Sequence, residues 1–513
     1  MIEQLSPGLI LTIIALYFAL LMVISYFTGQ NSDNSNFFLG NRQSPWFIVA
    51  FGMIGASLSG VSFISVPGWV ATDGFSYMQM VFGYLLGYLI IATVLMPMYY
   101  RLQLTSIYTY LEQRFGPSSY KTGAGFFILS RVIGASFRLY LVAIVLQEFV
   151  MQHFGLPFAM TVLLTIILIW IYTFRGGIRT IVWTDTLQTL CMLIAVVLTV
   201  ITIGQKLNLS FSGIIDTIQN SQYSQIFFFE DGWGDSKNFF KRFLAGASIA
   251  VVMTGLDQDM MQKNLSCKNI GDAQKNMFWF SVVLVFVNLL FLSLGALLYI
   301  YAGEVGIEMP TKIVNGEIKP DSDLLFATIA LKSLGPVIGI AFILGLIAAA
   351  YSSADSALTA LTTSFCVDFL GFEKNDSETL TEEEIAKNKQ TRFKVHIGFS
   401  LLLFVVIMLF WLVNDRSVIE QIFRVAAYTY GPLLGLYTFG FLFQRPITDK
   451  YAPIVCIAAP IITYFLNMYS ELLFFGYRFG FELLILNGVI TFLGLLAISY
   501  RTEPGLDSET TIE

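Results

Sequence analysis

Apolar stretches of about twenty residues recur along the whole chain and constrain its fold more than any other feature. Backbone groups in lipid must be hydrogen-bonded within the segment that crosses the bilayer, so these stretches indicate membrane-spanning helices. They are too long and too uniform for the alternating strands of an outer-membrane barrel. Hydrophobic residues make up 56% of the 513 residues, and charged residues only 12%. We therefore predict an all-α polytopic membrane protein.

Hydropathy predicts about thirteen transmembrane helices. Basic residues are concentrated in the short loops of one side, which the positive-inside rule assigns to the cytoplasm. This orientation puts the N-terminus outside and the acidic C-terminal tail in the cytoplasm, in the cell's inner or plasma membrane. The basic set of that side is Arg101, Arg114, Lys121, Arg175, Arg179, Lys263, Lys268, Lys275, Arg445 and Lys450. The expected helices are 6–28, 46–71, 75–100, 122–152, 156–174, 181–204, 240–262, 272–302, 334–369, 395–413, 417–444, 451–469 and 479–500.

One polar segment, 351–358 (YSSADSAL), lies inside the apolar run 334–369. Helical spacing places Ser352 beside Ser356, with Asp355 next to both. Hydroxyl and carboxylate oxygens are hard ligands of the kind that hold a desolvated cation. The segment therefore predicts a cation site within the membrane.

A few other charges lie inside the predicted helices, where each costs roughly 2.5 to 3.5 kcal/mol at the bilayer centre. Each is a candidate functional group, although such charges can also pair with one another to fix helix packing, and Asp259 can be a charge at a helix end. Four cysteines and two histidines fall at irregular positions and predict no disulfide, metal or histidine relay. The charged set is Arg131, Arg138, Asp185, Asp257, Asp259, Asp355 and Arg424.

Two predicted helices, 46–71 and 240–262, contain clusters of glycine and serine or threonine that indicate interruptions. We call them the first and second interrupted helices. They lie five helices apart, as expected for two inverted copies of one unit, and such repeats are typical of secondary transporters with a site at the membrane midplane. Small residues for close helix packing are the alternative reading of both clusters.

Motifs along the chain resemble those of the sodium/solute symporter family, which includes sodium-glucose cotransporters and bacterial galactose, sialic acid and proline symporters. The resemblance covers the predicted helices up to residue 444. It rests on the segments 37–42 (FFLGNR), 176–178 (GGI), 183–188 (WTDTLQ), Asp257-Gln258 with Gln262-Lys263, and Ser352-Ser353 before Asp355-Ser356.

The resemblance implies a LeuT-type core of five plus five helices in which the two interrupted helices, 46–71 and 240–262, are broken. They are helices 1 and 6 when the N-terminal helix 6–28 is numbered 0. On this basis residues 1–45 form an extra N-terminal helix and a cytoplasmic loop, and 46–204 form the first repeat. An extracellular loop spans 205–239, and the second repeat spans 240–444. Two C-terminal helices span 445–500, followed by the acidic cytoplasmic tail 501–513.

The resemblance also implies a main sodium site made by carbonyls of Gly55, Leu58 and Ala349 and the hydroxyls of Ser352 and Ser353. A second sodium site, present in some members, would use Asp185 with Ser352 and Ser356. Asp355 stands where one such member has a serine, and a second carboxylate beside one monovalent cation leaves surplus negative charge unless it is protonated, paired or bound to its own ion. The number of sodium ions therefore stays open at one or two.

For the solute, the resemblance implies contacts from Ser59 and Ser62, from Gln79, and from Asp257 and Arg424, where sugar-transporting members have neutral amides. Two interpretations of the last pair stay open. Asp257 and Arg424 can form an ion pair across the bundle, or Arg424 can receive a substrate carboxylate, because a guanidinium offers a bidentate fork. Arg138 or Arg131 can serve the same purpose, as a helix arginine does in sialic acid symporters.

These observations predict a sodium-coupled symporter that imports a small organic solute by alternating access, with a sugar or a sugar acid such as sialic acid as the expected solute class. An amino acid or carboxylate as solute, proton coupling through Asp185 or Asp355, and a solute-sensing receptor are the alternatives. An enzyme is not expected, because no nucleophile-histidine partnership is present. The expected partners are Na⁺ as coupling ion without a further cofactor, the solute and membrane lipid. We expect no nucleic acid, and a monomer as the functional unit.

Overall fold

The computed structural model describes residues 7–28, 34–230, 232, 234–314, 317–372, 381–413 and 418–500. Helices make up most of the described chain. They are α1 (Pro7–Thr28), α2 (Asn34–Leu39), α3 (Trp46–Asp73), α4 (Tyr77–Ile90), α5 (Met96–Arg101), α6 (Thr109–Arg114), α7 (Pro117–Phe149), α8 (Phe158–Lys206), α9 (Phe211–Gln219), α10 (Phe239–Ala250), α11 (Gln258–Leu265), α12 (Ile270–Val305), α13 (Leu325–Lys332), α14 (Pro336–Ser364), α15 (Glu382–Val413), α16 (Val418–Thr429), α17 (Gly431–Leu442), α18 (Ala452–Met468), α19 (Ser470–Leu473) and α20 (Leu483–Ala497). Three π-helical turns continue α4, α10 and α14, at Ile91–Leu95, Val251–Gly255 and Phe365–Phe369.

Nine helices in the described part of the chain are long and apolar enough to cross a membrane, and a bent pair formed by α10 and α11 raises the number to 10. Shorter apolar helices at Phe158–Thr173, Gly431–Leu442 and Leu483–Ala497 complete the apolar set. The polytopic all-helical class is as predicted. The count of thirteen spans stays a prediction.

Both predicted interruptions are present. In α3, Ser59 has φ 39° and ψ 172°, which breaks the helix in its middle. The second interrupted helix consists of α10 with its π turn and α11, which are bent by 64° where Asp257 adopts an extended conformation. Each break frees backbone groups that must find other partners in an apolar surrounding.

A third break separates two predicted helices that the backbone joins into the single long element α8. Gly177 lies inside it with φ 54° and ψ −150°, a conformation that favours glycine. A Cβ at Gly177 would also lie 2.5 Å from the backbone of Phe37. The glycine therefore lets the segment around α2 pack tightly against the bend.

The broken helix α3 lies at the centre of the molecule and packs against α8, α12 and α14. Helix α10 packs along α4, and the two backbones touch: a Cβ at Gly246 would lie 2.2 Å from the carbonyl oxygen of Met80, and one at Gly83 would lie 2.1 Å from that of Phe243. The small residues of the second interrupted helix thus serve close packing as well as the interruption. Both interpretations of that cluster hold.

The loops between the long helices are more ordered than the hydropathy pattern indicates. Loop 205–239 contains α9, and loop 303–333 contains α13 together with the hairpin of β1 (Thr311–Val314) and β2 (Glu317–Pro320). Both segments pack at the same end of the bundle, where a Cβ at Gly68 of α3 would meet Ser322 and one at Gly74 would meet Tyr223. The buried polar residues described below lie inside the bundle.

Candidate ion and solute sites

The residues of the expected main sodium site are brought together where α3 meets α14. Ser352, Ser353 and Ala349 are each at most 1% exposed, and Gly55 and Leu58 are buried in the turn before the break at Ser59. A Cβ at Gly60 would lie 3.8 Å from Ala350, which shows how closely the two helices approach at this level. Hydroxyls and freed carbonyls at such a junction are the neutral oxygen ligands that suit a monovalent cation.

Asp185 on α8 lies beside this junction and is fully buried. Ser352 donates to its Oδ1 over 2.6 Å, so the hydroxyl that belongs to the expected main site also touches the expected second site. Asp355 is equally buried, and it accepts from the Tyr172 hydroxyl at 2.8 Å and from the backbone N–H of Ser356 at 2.5 Å. The Oγ of Ser356 has no hydrogen-bond partner among the described residues.

Lys263 corrects one expectation taken from the sequence. It was counted among the basic residues of cytoplasmic loops, but its side chain on α11 is only 1% exposed, and its Nζ lies 2.7 Å from Oδ2 of Asp185. The 64° bend before α11 turns this short helix into the protein and packs it against α14. Asp185 therefore has a cationic partner that belongs to the chain itself.

Further charges continue from Lys263 toward α7. Lys263 lies 3.9 Å from Asp259, which forms an ion pair with Arg131, and Arg131 lies 3.8 Å from Asp257. Asp259 is thus a buried partner and not a charge at a free helix end. Asp185, Lys263, Asp259, Arg131 and Asp257, which we call the charge chain, alternate in sign. Each buried charge is compensated by a neighbour, which is the condition for charges to persist away from water.

Asp257 ends the charge chain and also starts α11. Its Oδ1 accepts from the backbone N–H groups of Asp259 at 3.0 Å and Met260 at 3.4 Å, so it caps the helix. Its Oδ2 accepts from the Tyr430 hydroxyl at 2.5 Å. The carboxylate is engaged on both oxygens, and it does not belong to the residues that line the central cavity.

A central cavity opens beside the break of α3. It has about 760 Å³ of empty space, open water at its mouth included. Polar groups of five helices face it: α3, α4, α7, the π turn that continues α10, and α12. The polar lining consists of Ser57, Ser59, Ser62, Tyr77, Tyr84, Tyr88, Arg131, Arg138, Thr254 and Asn288, with Met253, Ile422 and Phe423 among the apolar lining residues.

Ser59, Ser62 and Arg138 of the expected solute residues line this cavity, but Gln79 does not. The Gln79 amide donates to the backbone oxygens of Ser76 and Lys237 and accepts from the N–H of Phe228. It anchors the loop 205–239 to the start of α4. Its hydrogen-bonding capacity is used by backbone groups, so it has no polar atom left for a solute.

Arg424 also differs from the expectation. It is exposed on α16 and does not line the central cavity, although the preceding Ile422 and Phe423 do. It is also absent from the lining of a smaller cavity between α7 and α16. The ion pair between Asp257 and Arg424 is not formed, because Asp257 is held by Arg131 and Tyr430. Helix rotation sends the side chain of residue 424 away from the bundle.

Several lining residues were missed in the sequence. Tyr84 and Tyr88 are four residues apart on one face of α4, and Asn288 is a lone amide in the otherwise apolar middle of α12. Polar groups at helical spacing inside apolar helices were the available signal. Tyrosines alone do not indicate a cavity, because they also occur at helix ends and in packed cores.

The comparisons with known proteins agree with this architecture. The sequence pattern of the "Sodium:solute symporter family" matches residues 37–450. A "Sodium/sialic acid symporter NanT" of Aliivibrio fischeri is 25% identical, covering 95% of this chain and 91% of its own length. The "Sodium/sialic acid symporter SiaT" of Proteus mirabilis is 26% identical, covering 92% of each.

Solved structures show the same fold. A Na⁺-coupled sialic acid symporter in a substrate-bound, outward-open state superposes with a TM-score of 0.78 at 20% identity, covering 95% of this chain and 97% of that one. A nucleobase-cation-symport transporter in a closed conformation superposes with a TM-score of 0.54 at 13% identity.

Two broken helices, a cluster of buried hydroxyl and carbonyl oxygens where the first of them meets α14, and a cavity beside that break are typical of a secondary active transporter. The match over 37–450 makes the assignment specific. The chain belongs to the sodium:solute symporter family. It is a multi-pass membrane protein that uses Na⁺ as its coupling ion to import a small organic solute, and it is not an enzyme.

Proposed function

We propose that this symporter imports a sugar acid of the sialic acid class, and that Arg138 receives the carboxylate of the solute. The observation that carries the proposal is a buried guanidinium beside the cavity without an anionic partner. Arg138 is 8% exposed, it lines the central cavity, and among the described residues no carboxylate forms an ion pair with it. Its Nε has no hydrogen-bond partner either.

Arg131 provides the contrast, two turns earlier on the same face of α7. It lines the cavity as well, but Asp259 and Asp257 already compensate its charge. A buried arginine without a counter-ion is costly, and a planar carboxylate is the group that its two parallel N–H donors match. The relatives of A. fischeri and P. mirabilis, whose names specify sialic acid, support this solute class.

The rest of the cavity suits a polyhydroxylated solute. The hydroxyls of Ser59 and Ser62 and the Asn288 amide offer donors and acceptors on one side, and the tyrosines of α4 offer faces on which a sugar ring can lie. A neutral sugar would leave Arg138 uncompensated. The site is therefore expected to select an acidic sugar over the neutral one.

The proposed cycle starts with sodium at the main site, where it holds α3 against α14 and stabilises the outward-open cavity. Solute binding and sodium binding support each other, because coupling between two sites is reciprocal in free energy. After the cavity closes, the helix bundle rocks against its scaffold, and ion and solute leave into a cytoplasm that is poor in sodium. No covalent step is involved.

The organisation expected from the sequence completes the proposal. The repeats 46–204 and 240–444 would form the transport core, the N-terminus would lie outside and the C-terminus in the cytoplasm. A single chain surrounded by membrane lipid would be the functional unit. The match to 37–450 supports the core, since it begins just before the first proposed repeat and ends near the end of the second.

The test is uptake of labelled sialic acid into proteoliposomes under an inward sodium gradient, with potassium or choline as replacement. Arg138→Gln is expected to lower the apparent affinity for sialic acid roughly ten- to a hundred-fold, because a hydrogen bond to a charged group contributes about 1.5 to 3 kcal/mol. The effect on a neutral sugar should be small.

Arg424→Gln is the matched control, since it removes the same charge from an exposed position outside the cavity. It should leave the affinity for sialic acid unchanged. Sodium-dependent uptake of sialic acid that is insensitive to Arg138→Gln, or sodium-dependent uptake of another solute class only, would contradict the proposal.

A further inference from the structure

The ammonium of Lys263 takes the position at Asp185 in which a second coupling cation is expected. The pair is close, at 2.7 Å, and the two side chains are 1% and 0% exposed. A buried ammonium persists only next to a compensating carboxylate. Asp185 in turn has both oxygens engaged, Oδ2 by Lys263 and Oδ1 by the Ser352 hydroxyl.

Lys263 is also held in place from its other side. Asp259 lies one helical turn before it on α11, 3.9 Å from its Nζ, and the Asp259 carboxylate is paired with Arg131. The lysine therefore has no free carboxylate to move to within the charge chain. A sodium ion at Asp185 would have to lie beside a fixed ammonium, and two like charges at contact distance repel strongly in a buried site.

We propose that Lys263 is a tethered cation that replaces the second sodium ion, so that one sodium ion accompanies each solute. Asp185 is then a structural anchor for the lysine and not an ion ligand, and the only transported cation is the one at the junction of α3 and α14. This inference deepens the proposed function and depends on it only for the solute used in the assay.

The number of ions is measured from the accumulation that a gradient supports. At zero membrane potential, a tenfold inward sodium gradient supports roughly tenfold accumulation of solute with one ion per cycle and roughly a hundredfold with two. We expect the tenfold limit for the wild type, together with a Hill coefficient for sodium of about one. A hundredfold limit in the wild type would overturn the inference.

Variants at position 263 test the role of the lysine directly. Lys263→Gln leaves Asp185 without its cation, and we expect a second sodium ion to bind there and the Hill coefficient to rise toward two. Lys263→Arg keeps the charge and should keep the coefficient at about one. The double variant Lys263→Gln/Asp185→Asn removes both charges and should return it to about one. An unchanged coefficient in a folded Lys263→Gln protein would refute the assignment.

Thermal unfolding of the purified protein in sodium alone gives the same answer without any solute. Each bound ion adds stabilisation that grows with the logarithm of sodium concentration, so the slope for Lys263→Gln should be about twice that of the wild type. Should sialic acid not be transported, the solute proposal fails while this slope still counts ions. Asp355→Asn is the counter-test. If it halved the slope of stabilisation against the logarithm of sodium concentration relative to the wild type, a second ion would lie at Asp355 and the inference would be overturned.

Discussion

Removing the hydroxyl of Ser353 tests the main sodium site with little disturbance of the fold. Its Oγ donates to the carbonyl of Ala349 over 3.3 Å, a long bond within the same helix, so Ser353→Ala costs α14 little. The expected site has five oxygens, of which this is one. A neutral group that contacts a charge contributes about 1.5 to 3 kcal/mol, which corresponds to at least a tenfold weaker binding of sodium.

The assay is initial uptake as a function of sodium concentration at saturating solute. We expect the half-saturating sodium concentration to rise roughly tenfold or more, because the ion loses one of five ligands. Ser400→Ala is the matched control: this buried serine on α15 donates to the carbonyl of His396 over 2.9 Å in the same back-bonded geometry, away from the ion junction. Equal sodium dependence in the wild type and both variants would refute the ligand assignment.

Two further predictions concern stability and are checked by thermal unfolding in detergent. Asp257→Asn keeps an oxygen that caps α11, whereas Asp257→Ala loses both the cap and the contact to Arg131, so the alanine variant should be less stable than the asparagine variant by about 0.5 to 2 kcal/mol. Equal unfolding temperatures would show that the cap contributes nothing. Gly246→Ala should destabilise, because its Cβ would lie 2.2 Å from the carbonyl of Met80, while Gly125→Ala, with nothing within 4 Å, should be neutral or stabilising by up to about 1 kcal/mol. An unchanged unfolding temperature in Gly246→Ala would mean that α4 and α10 separate easily.

The sequence predicted the class of fold and both helix interruptions, because these follow from local properties. Apolar length reports the spans, and clusters such as 52–60 and 246–255 report the breaks at Ser59 and Asp257. The direction of a break is a different matter. The 64° bend that buries α11 depends on its packing against α14, so Lys263 was assigned to a surface loop by a rule that counts basic residues near helix ends.

The solute residues show the same limit. Gln79 and Arg424 were both expected to contact the solute. Gln79 instead binds loop backbone, and Arg424 is exposed. Which face of a helix is directed toward the cavity is set by rotation about the helix axis. In α4, which is apolar on most sides, the hydropathy pattern carries little information about that rotation. Helix α16 is amphipathic, and the spacing of Arg424 from the polar residues one turn before it already indicated an exposed face. Local spacing could not separate Arg131 from Arg138 either, because they lie seven residues apart on one face of α7 and the partners of Arg131 come from a distant part of the chain.

The direct contact between the backbones of α4 and α10 has a mechanical consequence. Helices that meet through side chains can slide by changing rotamers, but Gly83 and Gly246 leave no side chain to yield, and sliding would drive a carbonyl into the neighbouring main chain. We therefore expect α4 and α10 to move together as one rigid unit. Two cavity-lining residues of α4, Tyr84 and Tyr88, would then move together with two of the π turn after α10, Met253 and Thr254. This wall of the cavity would present the same surface to the solute from entry to release. A covalent crosslink between α4 and α10 should therefore leave transport intact. Loss of uptake on crosslinking would show that the two helices move apart during transport.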